Sequence, residues 1–183
     1  MSQNKQKEII NQKSKTVAKT AQETVIAMIE IPKGCRNKYE YDNKQKIMKY
    51  DRMIHSSVRY PSDYGFIMDT LAQDGDSLDT LVLVSEPTFP GCVIEVKPIG
   101  VLDMWDDKGI DEKILCIPLY DPFWNHITEL DQIQSHLLRE IEHFFSTYKF
   151  LENKETGVDG WKDRKHALEI IKQAQDRFVK AKK

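Results

Sequence analysis

The sequence predicts a mainly β protein of the α+β class, a closed or strongly curved antiparallel barrel followed by two helices. Three observations carry this: a succession of short β-rich runs, the lack of any amphipathic helix between them, and helical periodicity confined to the last third of the chain. The runs are residues 24–32 (TVIAMIEIP), 38–42 (KYEYD), 79–84 (DTLVLV), 92–104 (CVIEVKPIGVLDM) and 112–118 (EKILCIP), separated by clusters of Gly, Pro, Asn and Asp. A parallel sheet would need crossovers, usually helical, and that stretch offers no helix for them.

The helical signals follow. Leu130, Ile133, Leu137, Ile141, Phe144 and Tyr148 recur at three- and four-residue steps, and Thr128 with Asp131 three residues later gives an N-cap signal, so one amphipathic helix is expected to start near Thr128. After a turn-like GVDG at residues 157–160, a second helix is expected from about Trp161 into the lysine-rich end, packing Ala167, Leu168, Ile171 and Phe178. The first 22 residues hold five lysines and no arginine and are rich in Asn, Gln, Ser and Thr. That composition predicts a flexible polar N-terminal extension over residues 1–22, neither signal nor transit peptide, ahead of a single domain over residues 23–183.

Composition excludes several function classes. A formal net charge of -2 argues against a general nucleic-acid binder. The longest stretch without Asp, Glu, Lys or Arg is the eight residues 87–94, so no spanning helix and no membrane partner are expected. The cysteines, Cys35, Cys92 and Cys116, are odd in number and form no C-x-x-C pair. This fits a reducing, cytoplasmic compartment and excludes a disulfide framework or zinc knuckle.

Charge is distributed unevenly. Residues 63–111 carry eleven carboxylates against two lysines, whereas residues 30–60 carry eight basic groups against four acidic ones. In DGDSLD, Asp74, Asp76 and Asp79 fall within six residues, and their repulsion costs stability unless a cation relieves it. Crowded carboxylate oxygens suit Mg2+, Mn2+ or Ca2+. An EF-hand loop starting at Asp74 fails, because its sixth position would be Asp79 where Gly is required and its twelfth Ser85 where Glu is expected. A second cluster, DDKGID, groups Asp106, Asp107 and Asp111 around Gly109. Strand alternation in KYEY puts Lys38 and Glu40 on one face. Cations beside a metal-filled carboxylate basin make a receptor for a highly charged phosphate, which points to phosphoryl transfer. The chain has no Walker A loop, GxGxxG, GxSxG or HExxH motif, so covalent serine or cysteine catalysis has no support. His136 and His143, seven apart on one helix face, read as a surface or subunit contact.

The ordered set EIPKGCRNKYE, DR, YPSDYGF, DGDSLD, DDKGIDEK and HFFSTYK resembles the soluble family I inorganic pyrophosphatases, in their short prokaryotic-type form, over residues 24–149. The resemblance implies an OB-like five-stranded antiparallel β-barrel flanked by two C-terminal helices. It also implies Mg2+-dependent hydrolysis of inorganic pyrophosphate to two phosphates, by direct in-line attack of a metal-activated water with no covalent intermediate. Several Mg2+ ions are implied, with Mn2+ as substitute. By motif, Asp74, Asp79 and Asp111 match the tightest metal site, Asp79 also facing a second ion. Asp106 and Asp111 match a site filled with substrate, and Glu30 supports a further ion. Asp76 matches the general base. Lys38, Arg52, Lys113, Tyr148 and Lys149 match phosphate-binding positions, Lys38, Arg52 and Tyr148 counting among the catalytic set, while Glu40 and Tyr64 complete the cavity. The short form implies a homo-oligomer, a hexamer in preference to the dimer of the longer eukaryotic form. Two positions depart from the family pattern: Ser77 replaces the proline of D-x-D-P-x-D, restoring an N–H and loosening φ, and Trp105 precedes the second cluster. Neither removes a ligand.

Overall fold

The structure, a computed structural model, describes residues 24–107 and 109–182. The extension expected over residues 1–22 lies outside the described residues. Among these residues the chain forms β1 (Val25–Ile31), β2 (Asn37–Asp42), β3 (Ile47–Met53), β4 (Asp63–Ile67), β5 (Asp79–Val82), β6 (Val93–Asp106), β7 (Gly109–Ile110), β8 (Lys113–Pro118), α1 (Ser135–Thr147), β9 (Thr156–Asp163) and α2 (Arg164–Ala181).

Five strands close on themselves. β1 pairs with β4, β4 with β5, β5 with β8, β8 with β6, and β6 returns to β1. The five-stranded ring and the two C-terminal helices are those expected. One junction departs from an all-antiparallel barrel: β5 and β8 run parallel, Thr80 opposite Ile114 and Val82 opposite Cys116. The intervening β6 and β7 form a strand excursion long enough to bring the chain back in the same direction without a helix.

The strand β8 is buried throughout, as a strand covered on both faces must be. Leu115 and Ile117 pack with Ile141, Phe144 and Phe145 of α1, while Ile114 and Cys116 pack with Ala167, Ile170, Ile171 and Ala174 of α2. Burial pushes the Cys116 thiol up to about 12, leaving it an inert core group. The long strand β6 borders β1, β8, β7 and β9, and its register with β8 shifts between Pro98 and Gly100, where a proline without an N–H is tolerated.

The structure adds strands that the hydrophobic pattern did not signal. β3 (IMKYDRM) is largely exposed and among the described residues pairs only with β2, so no apolar face marks it. β4 is buried despite its Asp63, whose carboxylate accepts from the Lys33 N–H at 2.8 Å, the Thr88 N–H at 3.1 Å and the Thr88 hydroxyl at 2.6 Å. The GVDG segment is part of β9, not a turn; Gly160 sits at φ +106° beside a register shift against β6. In that ladder the Trp105 indole covers Gly157, where any Cβ would strike the ring. The second helix therefore starts at Arg164 and not near Trp161, capped by Asp163, whose carboxylate accepts from the His166 N–H at 2.9 Å. The first starts at Ser135 and not near Thr128. Ahead of it Leu130–Gln132 forms one 3-10 turn, closed by the Gln132 side chain accepting from the N–H groups of Thr128 at 2.7 Å and Glu129 at 2.9 Å.

Gly65 is the tightest point of the β1–β4 crossing. It faces Ile29, and a Cβ there would run into the Met28 carbonyl oxygen. Because that obstacle is backbone, Gly65→Ala should destabilise the fold by about 2 kcal/mol or more. Urea unfolding of the variant checks this, and an unchanged midpoint would contradict it.

Candidate active site

β5 and β8, running parallel, start side by side, so their first residues, Asp79 and Lys113, meet at one end of the barrel. β6 ends there with Asp106, and β7 leads directly into Asp111. The β4–β5 loop adds Asp74 and Asp76, β1 adds Glu30, and the β2–β3 hairpin adds Lys38, Glu40 and Arg52. Tyr148 and Lys149 follow the end of α1. These side chains, with Tyr64 of β4, line a cavity of about 330 Å³. The thirteen residues that the resemblance assigns to the site all line it, whereas Asp107 of the second acidic cluster is not among its lining residues.

The cations in it are paired. Lys113, 2% exposed, contacts both Asp79 and Asp111, and Asp79 also accepts from the Tyr64 hydroxyl at 2.5 Å. Burial alone would lower the Lys113 pKa, but the two carboxylates outweigh it and hold the value above the ordinary one, so the group stays an ammonium. Lys149 reaches Asp106 at 2.7 Å, and Lys38 reaches Glu40 at 2.5 Å and Asp51 at 3.6 Å. Arg52 donates from Nε and Nη2 to Glu152 at 3.2 and 2.7 Å and contacts Asp51 through Nη1. Burial, reinforced by nearby carboxylates, raises Tyr64 well above its ordinary pKa, and burial with neighbouring Tyr60 and then the carboxylates does the same for Tyr148. Both phenols remain hydrogen-bond donors.

Some lining and supporting residues carried no assigned role in the sequence. Tyr60, Tyr41, Asn43 and Phe66 line the cavity. Tyr60 stood inside the quoted YPSDYGF motif, and its ring packs 5.2 Å from Tyr64 and 4.8 Å from Phe144. Asp51, from within the quoted DR motif, and Glu152, from outside the motifs, hold Arg52, and only the fold brings Glu152 to it.

The donor set fits divalent cations: Asp74, Asp79, Asp106, Asp111 and Glu30 offer hard carboxylate oxygens around one polar cavity. Among the described residues no three such side chains already stand gathered at a single point, and the Lys113 ammonium is the cation that Asp79 and Asp111 share. Two of these carboxyls sit above their ordinary pKa, burial being the main cause. Burial raises Asp111, opposed by Lys113 and reinforced by Asp79 and Asp106. Burial raises Glu30 from 4.5 to about 7, against the Tyr41 N–H it accepts at 2.7 Å and with Asp79 adding to the rise.

A family model for inorganic pyrophosphatases matches residues 27–179. The chain belongs to the inorganic pyrophosphatase family. It is 56% identical to the inorganic pyrophosphatase of Methanosarcina mazei over 164 residues, 90% of this chain and 97% of that relative. The inorganic pyrophosphatase structure from Thermus thermophilus superposes with a TM-score of 0.83 at 44% identity, covering 86% of this chain and 92% of the other. The Helicobacter pylori enzyme gives 0.84 at 35% identity, covering 86% and 95%. These matches place the chain with the short prokaryotic form of family I pyrophosphatases. Membership makes it a hydrolase of inorganic pyrophosphate with a divalent-metal requirement.

The Glu30 shift gives this pyrophosphatase a pH signature. Its folded value lies above the unfolded one, so its contribution to stability is complete below about 4.5 and is lost as pH rises through about 7. In cation-free protein the stability of the wild type relative to Glu30→Gln should fall by roughly 3 kcal/mol across that window. Urea titrations of both proteins in chelator, between the two pH values, check it; parallel curves would refute it.

Proposed function

We propose that the cavity hydrolyses inorganic pyrophosphate by direct in-line attack of water, with Mg2+ as the metal and no covalent intermediate. One observation carries the reading: four cationic side chains and the acidic clusters, drawn from separate segments, line a single cavity of about 330 Å³. Asp74, Asp79 and Asp111 would hold the tightest ion, with Asp79 also facing a second. Asp106 and Asp111 would hold one arriving with substrate, and Glu30 would support a further ion. Bound divalent cations supply Lewis acidity, neutralising anhydride oxygens and lowering the pKa of water, and Mn2+ would substitute.

The chain's own groups do the rest. Lys38, Arg52, Lys113 and Lys149 grip the phosphate oxygens, and Tyr148, kept protonated by burial, donates a hydrogen bond. Glu40 holds Lys38, and Tyr64 holds Asp79. The water oxygen bonds to one phosphorus as the bridging P–O bond breaks, and its proton passes to Asp76. The cations neutralise charge on the leaving phosphate, the main need of a loose transition state.

The assembly we infer is a hexamer. A groove of about 550 Å³ beside α1, lined by His136, His143, Val58, Pro61 and Phe144, supports a subunit contact there. Three free cysteines support a cytoplasmic setting. Among the described residues no helix is long and apolar enough to cross a membrane.

Phosphate release by chelator-treated protein, with Mg2+ added back, tests the reading. Release confined to pyrophosphate, with ATP and a phosphomonoester untouched, is expected; release from none of them by folded protein would overturn it. Asp76→Asn should lower kcat by about 10²- to 10⁴-fold with Tm unchanged. A near-normal kcat would remove Asp76 as the base.

A further inference from the structure

We propose that Glu152 is a positioning residue for the hydrolysis, fixing the Arg52 guanidinium from behind so that its remaining donors face the substrate phosphate. The proposal rests on the reading of Arg52 as a phosphate ligand. Glu152 closes the 3-10 turn Phe150–Glu152, immediately after Tyr148 and Lys149, and Asn153 in the left-handed region at φ 54° ends that turn. The segment that supplies two phosphate ligands therefore also reaches across to β3.

Four features set this pair apart from an ordinary surface bridge. The Glu152 side chain is 6% exposed, and it does not line the cavity that Arg52 lines. Its Oε2 accepts from both Nε and Nη2 of Arg52, which fixes the plane of the guanidinium as well as its position. Its Oε1 is buried without a hydrogen-bond partner among the described residues. A carboxylate in that state is unfavourable unless a cation answers it, so Arg52 and Glu152 hold each other in place.

The donor count leaves room for substrate. A guanidinium has five N–H groups; two are directed to Glu152 and one to Asp51, which leaves two for phosphate oxygens. Asp51 is 31% exposed and is shared with Lys38, so an arriving phosphate can displace it. The buried Glu152 stays. Substrate then meets an arginine whose rotamer freedom is already lost, and binding need not supply that ordering.

A double-mutant cycle tests this: wild type, Glu152→Gln, Arg52→Ala and the double variant, with kcat and KM for pyrophosphate at saturating Mg2+ and Tm for each. Glu152→Gln alone should raise KM about tenfold, with a smaller change in kcat. In the Arg52→Ala background the same change should leave KM where it is and raise Tm, since it removes an unpaired buried charge. An equal KM increase in both backgrounds, or none in either, would overturn the proposal while leaving Arg52 as a phosphate ligand. Arg52→Ala without effect on kcat/KM would overturn the reading of Arg52 and the proposal with it. If Glu152→Gln does not fold, Glu152→Asp, which keeps the charge but withdraws it by one methylene, enters the same cycle with the same criteria.

Discussion

A lysine ammonium buried at the start of a barrel strand is the constraint from which the rest of the site follows. Lys113 is 2% exposed, and a buried ammonium without partners either loses its proton or costs several kcal/mol. Asp79 and Asp111 keep it charged. To deliver them, β5 must start level with β8, which is what the parallel pairing does, and the chain must turn through β7 so that Asp111 stands two residues before Lys113. Tyr64 on the neighbouring β4 then closes on the same Asp79 oxygen. A single ion cluster thus ties the ring's one parallel junction to the mouth of the cavity.

The same logic of matched charge extends outward. Lys149 pairs with Asp106, Lys38 with Glu40 and Asp51, and Arg52 with Asp51 and Glu152, so each of these cations is answered by a carboxylate before substrate arrives. Opposite charges about 4 Å apart attract by roughly 4 kcal/mol near a protein surface, and most of that is offset by the hydration they give up. The pairs are therefore poor sources of stability and good sources of order. They hold the cationic side chains that line the cavity in defined positions.

The site was legible in the sequence to a greater degree than the fold. Asp74, Asp76, Asp79, Asp106 and Asp111 announce themselves because short polar motifs carry their own chemistry, and the ordered set of motifs resembles a known family. Strands β3 and β9 stayed hidden for a physical reason: β3 is exposed on a two-stranded arm and β9 passes through two glycines, so neither writes an alternating apolar pattern. The apolar spacing does not mark the start of α1, because Leu130 and Ile133 continue it through a 3-10 turn that ends in extended backbone at Ile133. Glu152 could not be found at all. Its meaning lies in a contact a hundred residues away along the chain, and no local pattern encodes that.

The acidic loop shows how a C-terminal helix far along the chain is tied to the cavity. Asp74 and Asp76 come from the segment between β4 and β5 and line the cavity. At its base the segment is fastened: the Leu71 N–H donates to the Ala174 carbonyl at 3.0 Å, and Arg177 Nε donates to the Leu71 carbonyl at 2.8 Å. Both polar groups of that one backbone residue are thus satisfied by α2. Thr70 completes the base, its hydroxyl donating to Ile67 and accepting from the Leu78 N–H at 3.0 Å. A loop fastened at its base loses less entropy when its carboxylates are drawn onto a cation than one free throughout. The apolar face of α2 that buries Ala167, Ile170, Ile171 and Ala174 against the barrel is what holds those hydrogen bonds in place. Core packing and the placement of the carboxylates are in this respect one and the same requirement.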